Sequence, residues 1–205
     1  MRIEIVAFDG MEELDAVGPW QVLRLAQRFA AVRGTGWDVR LVGIDSAQPV
    51  TCAHGLRVAV DGVLGASGPV DGIVVPGGGW TEQPEQGSWQ QAQAGSLPRT
   101  LAELAPACRW VASVCTGAML LNAAGLLTGR RAVTHRSCID ELSAAGVTVL
   151  AGARVVDDAT IVTAGGVTAG IDLALHLVER ELGADLARAV ADDIEYSRTP
   201  AVRTC

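Results

Sequence analysis

At 205 residues, with 49% hydrophobic and 19% charged side chains, the sequence is that of one globular domain spanning residues 1–205, not of a disordered or fibrous chain. All sixteen basic residues are arginine, which excludes Schiff-base catalysis, a pyridoxal-phosphate site and a Walker A lysine. A net charge of −7 argues against nucleic acid as a partner, no apolar run reaches the roughly 18 residues of a membrane span, and five cysteines without a C-x-x-C pair suggest neither a disulfide framework nor a zinc site.

The chain opens in a strand-like run, Arg2-Ile3-Glu4-Ile5-Val6-Ala7-Phe8, with no signal-peptide core before it, so the cytoplasm is the expected compartment. Asp9-Gly10 makes a turn, and the spacing from Met11 to about residue 30 predicts a helix with Leu14, Val17, Val22, Leu25 and Phe29 as apolar positions. Gly18-Pro19 predicts a kink or a second start inside it, because proline removes a helix hydrogen bond. Strands follow over 37–43, 56–60 and 70–75, the last running into Pro76-Gly77-Gly78-Gly79. Residues 81–96 read as a polar loop or helix start, and 97–105 as helix. A strand after Trp110 passes into a helix reaching about residue 124. Residues 131–135 form a short strand, Ser137 is placed to cap a helix over 138–145, and 147–149 and 154–156 are strand-like. Asp157-Asp158 then turns the chain into a strand over 160–163. A helix over 167–182 is stopped by Gly183, and a last one covers 184–196.

Strands alternating with helices imply an α/β sandwich whose mainly parallel sheet is covered on both faces. Such sheets bind ligands beyond the carboxyl ends of their strands. The 9–15 segment, the Gly77-Gly78-Gly79 loop and Cys115 all fall at such ends.

Residues 111–121, Val-Ala-Ser-Val-Cys-Thr-Gly-Ala-Met-Leu-Leu, change from strand to helix within one or two residues. A turn that sharp needs small residues on either side of its apex, and Ser113 and Gly117 flank Cys115. This is the pattern of a nucleophile elbow. A thiol at a helix N-terminus is expected to be held ionised, with a pKa lowered to roughly 3.5–7.5, the alternative being a buried structural cysteine. The N–H groups of Gly78, beside Gly77, and of Thr116 are placed to form an oxyanion-type pocket, the alternative for the glycines being a plain tight turn.

Three histidines are candidate proton carriers. His54 lies in a surface-like turn, His176 in an apolar helix, and His135 ends a strand from which it can approach Cys115. Asp15 is the better candidate, because a carboxyl beside a thiolate shares a proton with it and can pass that proton to a substrate atom.

With these residues laid out, the chain resembles the ThiJ/PfpI superfamily, and within it the isonitrile hydratase branch and the related sensor domains of AraC-type regulators. The resemblance rests on Leu14-Asp15-Ala16-Val17-Gly18-Pro19, Val75-Pro76-Gly77-Gly78 and Ser113-Val114-Cys115-Thr116-Gly117. It continues through Ala124-Gly125-Leu126-Leu127, Arg131-Ala132-Val133-Thr134-His135, Val167-Thr168-Ala169-Gly170-Ile171-Asp172 and Ile194-Glu195-Tyr196. It implies a flavodoxin-like (class I glutamine-amidotransferase-like) three-layer sandwich, an elbow cysteine, an acid hydrogen-bonded to it, a homodimer, and no metal or organic cofactor. The activity implied is attack of Cys115 on a small electrophile, an isocyanide, giving a thioimidate that water converts to an N-substituted formamide. Peptidase-like members carry His where this chain has Thr116, glyoxalase and deglycase-like members carry Glu where it has Asp15, and the hydratase pattern places Trp where it has Arg136. The competing readings are a non-catalytic small-molecule or oxidative-stress sensor and a glyoxalase- or amidase-like activity. Only nine residues follow Tyr196, too few for the helix-turn-helix pair of a regulator, so the expectation is either a domain that does not itself bind DNA or the sensor part of a longer regulator.

Overall fold

The computed structural model describes residues 1–32, 34, 36–198 and 202–204; Cys205, the fifth cysteine, lies outside them. In chain order the strands and helices are β1 (Arg2–Ala7), α1 (Glu13–Val32), β2 (Asp38–Gly43), β3 (Val50–Thr51), β4 (Arg57–Val58), β5 (Gly62–Val63) and β6 (Gly72–Val75). They continue with α2 (Ser88–Ala94), α3 (Ser96–Leu104), β7 (Trp110–Val114), α4 (Gly117–Ala123), β8 (Arg131–Ala132) and α5 (Ile139–Ala144). The chain closes with β9 (Thr148–Val149), β10 (Val155–Asp158), β11 (Ile161–Ala164), α6 (Ala169–Leu182), α7 (Ala184–Asp193) and β12 (Val202–Thr204).

The central sheet has the order β12-β10-β11-β7-β6-β1-β2-β5. Every pairing in it is parallel except the β10–β11 hairpin. Its middle strands β6 and β7 are buried at every position, as expected of strands covered on both faces. Helices α1, α6 and α7 pack together as one group and α2, α3 and α4 as another, flanking the sheet. The fold is the flavodoxin-like sandwich that the sequence implied.

Register places the site. Ile5 of β1 pairs with Val74 of β6, and Val75 of β6 pairs with Ser113 of β7. The carboxyl ends of three neighbouring strands therefore lie side by side, and they lead into Asp15, Gly77 and Cys115.

Several elements differ from the sequence reading, each for a physical reason. Helix α1 runs unbroken through Pro19, with no second start. The Pro19 ring is wedged against Gly170 of α6, where an added Cβ would stand 3.2 Å from its Cγ, so packing holds the turn that the missing N–H weakens. The 56–60 run shrinks to β4, paired with β3 in a hairpin apart from the main sheet, and β8 likewise pairs only with β9. The polar 81–96 stretch contains α2. Strand β10 extends through Asp158 and turns at Ala159, because Asp157 pairs with Val162 in the ladder while its carboxylate is fixed by His176 (2.6 Å) and Arg180. Ser137 does not cap a helix by its hydroxyl. Instead the His135 ring accepts from the Ser137 amide at 3.3 Å and caps a short 3-10 turn ahead of α5. Among the described residues no helix is long and apolar enough to cross a membrane.

Candidate active site

β7 is apolar and buried, and the chain leaves it by an abrupt turn at Cys115, whose φ of 58° lies in the left-handed region that non-glycine residues rarely occupy. Such a conformation costs on the order of 1–3 kcal/mol and persists only where the surroundings fix it. Here the Cys115 amide donates to Ala164 O (3.1 Å) and Gly165 O (2.9 Å) at the end of β11, and the Cys115 carbonyl accepts from Thr134 Oγ1 at 3.0 Å. Gly117 completes the elbow, since a Cβ there would overlap the Val75 carbonyl oxygen and stand 2.9 Å from that of Pro76. Both obstacles are backbone in the sheet layer and cannot swing aside. Gly117→Ala is therefore expected to destabilise the fold by more than about 2 kcal/mol, read as a lower urea midpoint at unchanged slope.

Cys115 is 6% exposed, and the backbone N–H groups of Thr116 and Val167 face its sulfur. Burial and the neighbouring Asp15 carboxyl nevertheless push the thiol up to about 12, and the two N–H groups offset only part of that. The expectation of a resting thiolate is thus corrected. A helix of seven residues beginning inside the core does not outweigh desolvation and a nearby acid. At rest the thiol is protonated.

Asp15 sits in the first turn of α1 with no exposure, although the neighbouring Leu14 reaches the surface. Its Oδ2 accepts from the Gly77 amide at 2.9 Å, while its Oδ1 has no partner at hydrogen-bond distance among the described residues. Burial pushes the carboxyl up to about 7; the Gly77 N–H pulls the other way, Glu12 adds to the rise, and the facing Cys115 thiol lowers it. Above neutral pH the pair holds one negative charge on the carboxylate and one proton on the sulfur, with the unpaired oxygen available to take that proton.

The glycine loop is pinned from both sides. Gly78, at φ 117°, packs so closely on the chain at residues 10–12 that no side chain would fit. The Gly77 carbonyl accepts from the Glu12 amide at 3.0 Å. The Gly78 amide donates to Thr116 Oγ1 at 2.9 Å, and Ser88 Oγ lies 2.9 Å from Thr116 Oγ1 and 2.7 Å from Gly78 O. Each hydroxyl has one proton, so the order is fixed: Thr116 donates to Ser88, and Ser88 donates to the Gly78 carbonyl. The Gly78 N–H expected to face a substrate is committed to Thr116 in this structure. Thr116 is held on both sides, and its own N–H faces the sulfur.

His135 is part-buried, its ring against Gly166 and its Nδ1 2.8 Å from Ser137 Oγ; it touches the cysteine's surroundings through Thr134 and Gly166. His54 is exposed and its Nδ1 pairs with Glu13 at 2.8 Å, and His176 is held by Asp157 at 2.6 Å, so neither serves Cys115. Among the described residues Glu12, Glu13 and His54 bring three ligating atoms within 4.8 Å of one another, but Glu13 Oε1 already accepts the His54 amide at 2.7 Å and fixes that turn. Ser88, lost in a polar stretch, and Val167, which acts through its backbone, were not legible as site residues. No side-chain signal marks either.

A model of the DJ-1/PfpI family matches residues 1–180. The chain is 36% identical over 200 residues to the isonitrile hydratase of Pseudomonas putida, an alignment covering 98% of this chain and 80% of that one. It is 27% identical over 200 residues to the HTH-type transcriptional regulator GbdR of Pseudomonas aeruginosa, covering 96% of this chain and 51% of the regulator. The crystal structure of a ThiJ/PfpI family protein from Pseudomonas syringae superposes with a TM-score of 0.82 at 28% identity, covering 97% of this chain and 76% of that one.

Proposed function

The chain belongs to the DJ-1/PfpI family, and from that premise we propose that it is a cofactor-independent hydratase that adds water to small isonitriles through Cys115. The observation that carries the reading is a strained elbow cysteine facing a buried carboxyl whose Oδ1 has no partner. The similarity to an isonitrile hydratase over nearly the whole chain supplies the substrate class.

As the Cys115 sulfur attacks the terminal carbon of the isonitrile, its proton passes to the free oxygen of Asp15. Asp15 then gives that proton to the same carbon, leaving a thioimidate on the sulfur. Water attacks the thioimidate carbon while Asp15 takes a proton from it and delivers that proton to nitrogen. When the carbon–sulfur bond breaks, the hydroxyl proton returns to sulfur through Asp15, and an N-substituted formamide leaves. One water is consumed and the enzyme is restored. The N–H groups of Thr116 and Val167 stabilise negative charge on sulfur as each carbon–sulfur bond forms or breaks. Gly77 holds Asp15, and Gly78 holds Thr116. His135 shapes the rim at Gly166.

Incubation of the purified protein with cyclohexyl isocyanide is expected to yield N-cyclohexylformamide with multiple turnovers. A second reading, a ligand-sensing domain without turnover, is favoured by the protonated resting thiol and by the regulator match. Saturable isocyanide binding with no formamide would select it. The active form is proposed to be a cytoplasmic homodimer, with the exposed Leu14 and Leu56, and the crevice of about 370 Å³ lined by Val17, Trp20, Leu56 and Val58, at the interface. Light scattering at twice the 21.2 kDa chain mass supports this, and a monomer refutes it.

A further inference from the structure

Val167 stands at the strained end of the loop that enters α6, with φ at 20°, an unfavourable value for a β-branched residue. The loop lies against Cys115, whose amide donates to Gly165 O at 2.9 Å and Ala164 O at 3.1 Å, and the Val167 N–H faces the Cys115 sulfur from it. Something must hold this loop, and one residue grips it at both ends. The Arg154 carbonyl accepts the Gly165 amide at 3.0 Å ahead of Val167. The Arg154 guanidinium reaches past it, donating from NH2 to Thr168 Oγ1 (3.2 Å) and from Nε to Asp172 Oδ2 (2.6 Å) in the first turn of α6. Asp172 is 3% exposed, and its Oδ2 also accepts from Tyr196 OH at 3.0 Å. Two of the sequence blocks with no chemistry of their own, Val167–Asp172 in the numbering 167–172 and Ile194-Glu195-Tyr196, meet at this carboxylate.

We propose that Arg154, seated by Asp172 and Tyr196, is a positioning residue that aims the Val167 N–H at the Cys115 sulfur. It touches neither sulfur nor substrate. The proposal rests on Cys115 being the reacting atom, and it specifies what keeps one of the two donors in place as charge develops there. Arg154 fixes Thr168 and Asp172 on one side of Val167 and Gly165 on the other, so the donor has little freedom to rotate away. Losing that alignment weakens one hydrogen bond to a charged sulfur, an effect of about tenfold in rate.

Two variants test this. Arg154→Ala removes the guanidinium half of the grip, keeps the backbone bond to Gly165, and takes the arginine partner from the buried Asp172, which endangers folding. Thr168→Val, at an exposed position, removes only the hydroxyl contact next to Val167 and is expected to fold. The first readout is amide hydrogen exchange at Val167 by NMR, which needs no enzyme activity. Val167 is expected to exchange about tenfold faster in Thr168→Val, and faster still in Arg154→Ala where that protein folds. The second is the iodoacetamide rate of Cys115 by peptide mass spectrometry, with Cys52 and Cys138 as internal controls. The Cys115 rate should fall about tenfold, with its pH profile moved upward, and recover in Arg154→Ala on adding millimolar guanidinium; the control rates should not change. A purely structural role would lower the melting temperature and leave the Cys115 profile alone. Unchanged Val167 exchange in both variants overturns the proposal even if the hydratase reading stands. Altered exchange with an inert wild-type Cys115 would retain the clamp and sink that reading.

Discussion

Cys115→Ala is expected to fold as the parent does and to lose formamide production by more than about four orders of magnitude, as removal of a covalent nucleophile does in enzymes whose residues act as a unit. The fold survives because the elbow is held by backbone contacts, those from the Cys115 amide to Ala164 and Gly165 and from Thr134 to its carbonyl, which alanine keeps. Alanine at φ 58° carries the same left-handed strain as cysteine, so the melting temperature should move by only a few degrees. The checks are thermal unfolding and a formamide assay on the same preparation. Residual turnover within tenfold of the parent would mean that the sulfur is not the nucleophile. The other three described cysteines are also buried and have acids nearby, but they lack the paired backbone N–H groups that face the Cys115 sulfur.

Asp15→Asn is expected to be the second most damaging change, lowering kcat/KM by about 10²–10⁴-fold through loss of proton transfer. Asparagine can still accept the Gly77 amide, so Gly77 and the loop should stay in place. In the parent, activity requires the carboxylate form of Asp15, so kcat/KM should rise with pH through about 7 and then level off, because the thiol itself ionises only near 12. In Asp15→Asn that rise should vanish. Stability moves the opposite way. A carboxyl pushed up to about 7 by burial binds its proton more tightly in the folded chain than in the unfolded one, so stability is greatest at acid pH and falls as the pH rises from about 4 to 7. The full loss from this one group is on the order of 4 kcal/mol. Asp15→Asn should therefore be at least as stable as the parent at pH 8, which denaturant unfolding at pH 5 and pH 8 would reveal. A functional acid that lowers stability where it is charged fits a group kept for chemistry.

Much of this could be read from the residues. The apolar runs that became β1, β6 and β7 fixed a parallel sheet, and in such a sheet the segments after those strands converge. Ser113, Cys115 and Gly117 announced the elbow, because only small residues fit around so sharp a turn. The place of Asp15 after the first strand marks it in the sequence. The charge state of the sulfur was not legible. It depends on how deeply the elbow is buried and on how close one carboxyl comes, and both are set by packing between distant segments. Ser88 carries no mark in the sequence, because its role arises only when α2 brings it against Thr116. Val167 and Gly77 act through backbone amides, which every residue has and no sequence pattern displays. The uninterrupted passage of α1 through Pro19 likewise follows from contact with Gly170, some 150 positions away in the chain.

The central claim is that the Cys115 sulfur bonds to the substrate carbon, with Asp15 carrying the proton. It is tested most directly by trapping the intermediate: brief mixing with cyclohexyl isocyanide, an acid quench and peptide mass spectrometry. The expected result is an addition equal to one isocyanide molecule on the peptide carrying Cys115, rising and falling as formamide accumulates and persisting longer in Asp15→Asn. Formamide produced at full rate with Cys115 unmodified at every time point would contradict it.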